Sequence, residues 1–177
     1  MENIAFDIWL SGRLDFNEEE KCECFETAKE LVRIAVDVRR NGLLSIDDKI
    51  ADYPDALMRK ALQLAVDSIQ PEIIQKLLQT HIVANNYRGN RLLQSILIKE
   101  GVILIVNGDN PKSVQDFLGV YFGDDFLQEY NDYIGGEAEY IKPVNISKTI
   151  APHGWSGDKL TQEEIDALII KILKGEI

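Results

Sequence analysis

Two cysteines and two histidines are the residues best suited to hold a metal, and their spacing argues against it. Structural zinc sites bring ligands in pairs about two to four residues apart, followed by a second such pair. Cys22-x-Cys24 has the wrong gap, while His81 and His153 stand alone and far apart. A disulfide between such close cysteines makes no useful staple, so both read as free thiols on a helix. Nucleophilic catalysis needs a nucleophile, a base and an orienting group, and no Gly-x-Ser-x-Gly elbow occurs. The stretch Gly101 to Gly108 lacks the Lys-Ser/Thr ending that holds phosphate. Carboxylate pairs such as Asp47-Asp48 and Asp124-Asp125 read as solvated surface or helix caps in so acidic a chain. The residue types therefore point away from catalysis, metal and cofactor. An alternative keeps a small enzyme or ligand-binding protein open, its site assembled from Asp67, His81, Tyr87 and Arg88 around a cleft at the middle of the fourth helix.

The 19 basic and 30 acidic residues give a formal charge of −11. Nucleic-acid binding draws its affinity from Lys and Arg neutralising phosphates, so this field points the wrong way, and it disfavours anionic membrane surfaces equally. A basic patch on a partner protein would be attracted. The longest apolar run, Ile96 to Val106, contains Lys99 and Glu100 and falls short of the ~20 residues a membrane span needs. With no signal-peptide pattern at the start, the expected location is cytoplasmic. A chain of 177 residues fits one domain, with or without a small appendage.

Helix punctuation divides this length. Asn17 with Glu20 reads as a capping box, and Arg39 and Arg40 complement the dipole of the last turn, so the first helix runs about 17–41. Gly42 suits a left-handed cap. Ser45 to Asp48 opens a short second helix that stops before Pro54, and Pro54 stands at the first position of a third, which ends near Ile69. Pro71 opens a fourth, with Ile73, Ile74, Leu77, Leu78, His81 and Ile82 as its buried stripe. The pattern resumes at Leu92 and reaches Val106; unbroken, that helix would run ~54 Å, and Asn85-Asn86 or Gly89 are the places to break it. A strand over Val102–Val106 is the lesser option there. Asn110-Pro111 begins a helix to about Phe122, Gly123 closes it, and Asp124 to Ile134 forms another. Residues 135–159 read as a loop or linker, and Thr161 with Glu164 caps a last amphipathic helix over 160–177, striped by Ile165, Leu168, Ile169 and Ile172. The expected fold is all-α, a bundle of six to eight helices with one long central helix, its main domain spanning 1–134.

The segment Arg39-Arg40-Asn41-Gly42-Leu43-Leu44-Ser45-Ile46-Asp47 resembles the cytoplasmic region of the flagellar stator subunit MotA. The likeness continues through Leu62 to Asp67 and Pro71 to Ile74, covering about residues 31–100. It implies that Arg39 and Asp47 meet the rotor protein FliG through charge pairs, with Asp47 in place of the usual Glu. Read without the family, Arg39 complements a helix end and Asp47 sits in the first turn of the next helix. The stator subunit conducts ions through four membrane helices, none of which is found here, so the resemblance implies a stray cytoplasmic module and not a channel. Leu160 to Ile169 is similar to the segment of the switch protein FliM that docks on the response regulator CheY. Such a capped amphipathic helix either lies in a partner's groove or packs on its own core.

These readings converge on a non-catalytic cytosolic protein–protein interaction module whose partners are motor or chemotaxis components. Arg39, Arg40, Asp47, Ile165, Leu168 and Ile169 are its expected contact residues. A homo-oligomer would instead show a large apolar face shared between copies.

Overall fold

Two helices open on side chains that accept backbone N–H groups left free by the first turn. Asp55 accepts from the amides of Leu57 and Met58, and Asn110 from that of Ser113. The helix that Asp55 opens and the one after it each run out into a residue in the left-handed region that turns the chain away: Ser68 at φ 58° and Asn86 at φ 51°. The computed structural model describes Leu10, Arg13 and residues 18–135, in which α1 spans Glu18–Asn41, α2 Ala56–Val66, α3 Pro71–Ala84, α4 Gly89–Val106, α5 Pro111–Val120 and α6 Asp124–Gly135. A 3₁₀ helix, Leu43–Asp52, links α1 to α2. The architecture is an all-α bundle, and no strand occurs among the described residues.

α4 is the centre of the bundle. Leu92, Leu93, Ile96, Leu97, Ile98, Val102 and Ile105 are buried on it, and α1, α2, α3 and α5 pack around it. Two of its polar residues are enclosed as well: Ser95 donates to the carbonyl of Arg91 at 2.7 Å, and buried Lys99 pairs with Glu100 at 2.5 Å. α1 crosses it closely enough that a Cβ on Gly101 would stand 2.8 Å from Leu31 Cδ1. At the other end, Phe25 of α1 meets Phe122 edge-on at 4.8 Å, and Phe122 stacks on Tyr130 of α6 at 4.9 Å. Tyr130 is fully buried and satisfies its hydroxyl on the carbonyl of Gln115 at 2.8 Å, as a buried phenol must.

Several expectations change. The ~54 Å unbroken helix is not realised: the chain stops at Asn85, turns through Asn86 and restarts after Arg88, whose extended backbone precedes Gly89. Val102–Val106 is the last turn of α4, not a strand. Pro54 lies outside α2 because Asp55, not Pro54, makes the cap. α2 ends at Val66, with the amides of Ser68 and Ile69 returning to the carbonyls of Ala65 and Leu64. The segment after Gly42 is 3₁₀ and begins at Leu43. On α3, Ile74, Leu78 and Ile82 are buried, but Ile73 and Leu77 are exposed and His81 is half-buried. The Asn17 cap, the 135–159 linker beyond Gly135 and the 160–177 helix with Ile165, Leu168 and Ile169 lie outside the described residues.

Candidate functional site

The corner joining α1 to the 3₁₀ helix is built from both ends. Gly42 turns the chain at φ 83°, a conformation that costs a glycine little, and its amide still bonds the carbonyl of Val38 at 2.8 Å. Ser45 then ties the turn by donating its hydroxyl to the Gly42 carbonyl at 2.7 Å. Below, Ile46 and Ile50 are buried and anchor the 3₁₀ helix to the core. Across the corner, Lys49 Nζ pairs with Asp37 Oδ2 at 2.6 Å, and Asn41 donates to the other oxygen at 2.6 Å. Lys49, then Asn41, holds the Asp37 carboxyl below the usual carboxylate range.

This frame turns Arg39, Arg40 and Asp47 outward; all three are exposed. Arg39 reaches the carbonyl of Gly108 at a loose 3.5 Å. Asp47 has no hydrogen-bonded or ion-paired partner among the described residues. Between them Leu44 is 73% exposed. An apolar tip flanked by charges of both signs is suited to meeting a protein surface, where a small desolvated contact is framed by polar groups. Leu44 was missed in the sequence because the doublet Leu43-Leu44 does not say which leucine faces out.

The alternative set does not assemble as one site. Tyr87 Oη lies 3.4 Å from His81 Nε2, so those two meet. Asp67 caps the far end of α2 and accepts from Gln63 at 3.0 Å, and among the described residues no bond joins Asp67 or Arg88 to the His81–Tyr87 pair. Polar groups converge elsewhere. Asp55 pairs with Arg91, which also donates to Gln94 at 2.7 Å and stacks over Tyr87 at 5.0 Å. Gln94 donates on to Thr27 at 3.1 Å. Burial pushes the Asp55 carboxyl up, but the Arg91 guanidinium and the Met58 and Leu57 amides outweigh it and leave it below the usual range. This network borders a cavity of about 410 Å³ lined by Glu23, Glu30, Tyr53, Met58 and Ile98. Burial, reinforced by Glu30, pushes the Tyr53 phenol up to about 12. A Pro-Asp start before an apolar run was the available signal for Asp55; nothing local marks Arg91 as its partner. The two thiols are spent on structure: buried Cys24 reaches Asn90 Oδ1 at 2.8 Å, and Cys22 reaches Glu129 at 3.6 Å.

No helix among the described residues is long and apolar enough to cross a membrane. Compared with known proteins, the chain is similar to motility protein A of Treponema phagedenis, with 33% identity over 82 residues. The matched part is 46% of this chain and 29% of that protein's length. No family model matches the chain, and no solved structure does.

Proposed function

We propose that the chain is a non-catalytic, cytoplasmic protein–protein interaction module, resembling part of a stator subunit without its channel. Its contact surface is the corner bearing Arg39, Arg40, Leu44 and Asp47. The observation that carries this reading is that the corner's framework (Ile46, Ile50 and the Asp37–Lys49 pair) is inward or self-paired while Asp47 is left exposed and unpaired among the described residues. The partial similarity to a motility protein A supports a partner among motor or chemotaxis proteins. The charge of −11 favours a partner with a basic face over nucleic acid or an anionic membrane.

Charge reversal tests it against purified FliG from the same organism. Arg39→Glu and Asp47→Lys should each weaken binding ~tenfold, as loss of a rim charge does, while the thermal melt stays in place because exposed charges contribute little to stability. If the parent chain does not bind FliG, the rotor is not the partner. If it binds and both variants bind equally well, the corner is not the contact.

A further inference from the structure

α3 is apolar on two faces, and the bundle uses one. Ile74, Leu78 and Ile82 are buried against the core. Ile73, Leu77, Thr80 and Ala84 follow at intervals of four, three and four residues, the spacing of a seam along which a second helix lies. Ile73 is 48% and Leu77 44% exposed, and the four residues line an open groove of about 600 Å³ together with Lys60 of α2 and Lys76. A groove along a 14-residue helix is about 21 Å long, the length of about four helical turns. This surface shares no residue with the Arg39–Asp47 corner.

The charge around the seam says what fits. In a chain of net charge −11, Lys60 and Lys76 border the apolar strip, and neither has a carboxylate partner among the described residues. The one carboxylate lining the groove, Glu72, sits in the first turn of α3, where the helix dipole favours it. His81 is engaged with Tyr87. Within a Debye length the two lysines, not the net charge, set the field at the groove, and a second copy of the chain would offer them the same lysine-bordered face instead of a row of carboxylates.

We propose that this groove seats an acidic amphipathic helix of a partner protein, its apolar side chains between Ile73, Leu77 and Ala84 and its carboxylates against Lys60 and Lys76. This is the helix-in-groove mode, in which apolar anchors supply affinity and flanking charges supply register.

The full chain is titrated into two fluorescent synthetic helices of about 16 residues, both with Leu at the seam positions. One carries Glu and the other Lys at the flanking positions. The Glu helix should bind at least tenfold more tightly than the Lys helix. Leu77→Asp should weaken it tenfold or more, and Lys60→Glu with Lys76→Glu should invert the preference. These residues are at the surface, and a circular-dichroism spectrum confirms that each variant is folded. Arg39→Glu should bind the Glu helix as the parent does, which separates this groove from the corner. Absence of binding, equal affinity for the two helices, or indifference to Leu77→Asp would overturn the proposal. So would a parent chain that sediments as a dimer and becomes a monomer on Leu77→Asp, since the occupant would then be a second copy.

Discussion

α3 and α4 come from what reads as one continuous helical pattern, yet they end with opposite fates. α4 is flanked by four helices, buries seven of its ten apolar side chains and leaves none exposed; α3 packs chiefly against α2 and α4 and leaves Ile73 and Leu77 in water. Their apolar content is alike, so hydrophobicity does not set burial here. The number of neighbours does, and the turn at Asn85–Arg88 decides it by swinging α3 to the edge of the bundle.

Four substitutions break or sharpen that contrast. The largest effect is expected at Leu97, fully buried on α4: Leu97→Ala should cost about 2–5 kcal/mol in urea unfolding through lost transfer energy and the cavity left behind. Next, Gly101→Ala should cost about 1–2 kcal/mol although alanine is the better helix former, because the new methyl would press on the whole side chain of Leu31. At the base of α2, Asp55→Ala should cost about 1–2 kcal/mol at neutral pH by removing a cap and the partner of Arg91. Because the Asp55 carboxyl is held below its ordinary value, its contribution is fully present above the unfolded value of about 3.9 and fades as pH falls through the folded one. The gap between the melts of parent and variant should therefore start to narrow below about pH 4 and go on shrinking as the pH falls through the folded value. The smallest effect belongs to α3: Leu77→Ser should change stability by about 0.5 kcal/mol or less. A large loss there would mean that the outer face of α3 is covered and that the contrast with α4 is false.

Much of this architecture can be read from local chemistry. Pro71, Asn110-Pro111, Gly42 and Gly123 mark helix ends because each meets a backbone requirement that no distant contact alters. The 3.6-residue period of α1 predicts its core face, Phe25 to Val38, for the same reason. The outer stripe of α3 is misread because periodicity reports which residues share a face, not whether a neighbour covers it. Ile73 and Ile74 are adjacent in sequence and stand on opposite sides of that boundary. The Asp55–Arg91 pair spans 36 residues and depends on how α2 leans on α4, which no short window contains. The corner is half legible: Arg39 and Asp47 stand out by type, whereas the Asp37–Lys49 pair that holds them in place emerges only in three dimensions.

The Leu43–Asp52 segment has a dynamic consequence. A 3₁₀ run of 10 residues is long for its kind, with poorer hydrogen-bond geometry than an α-helix, and two isoleucines alone are buried along it. Its amides should exchange with deuterium well before those of α4, opening as a local unit at a fraction of the global unfolding free energy. The surface offered outward is thus easier to reshape than the central helix, so an encounter there can adjust its backbone while the bundle behind it stays shut.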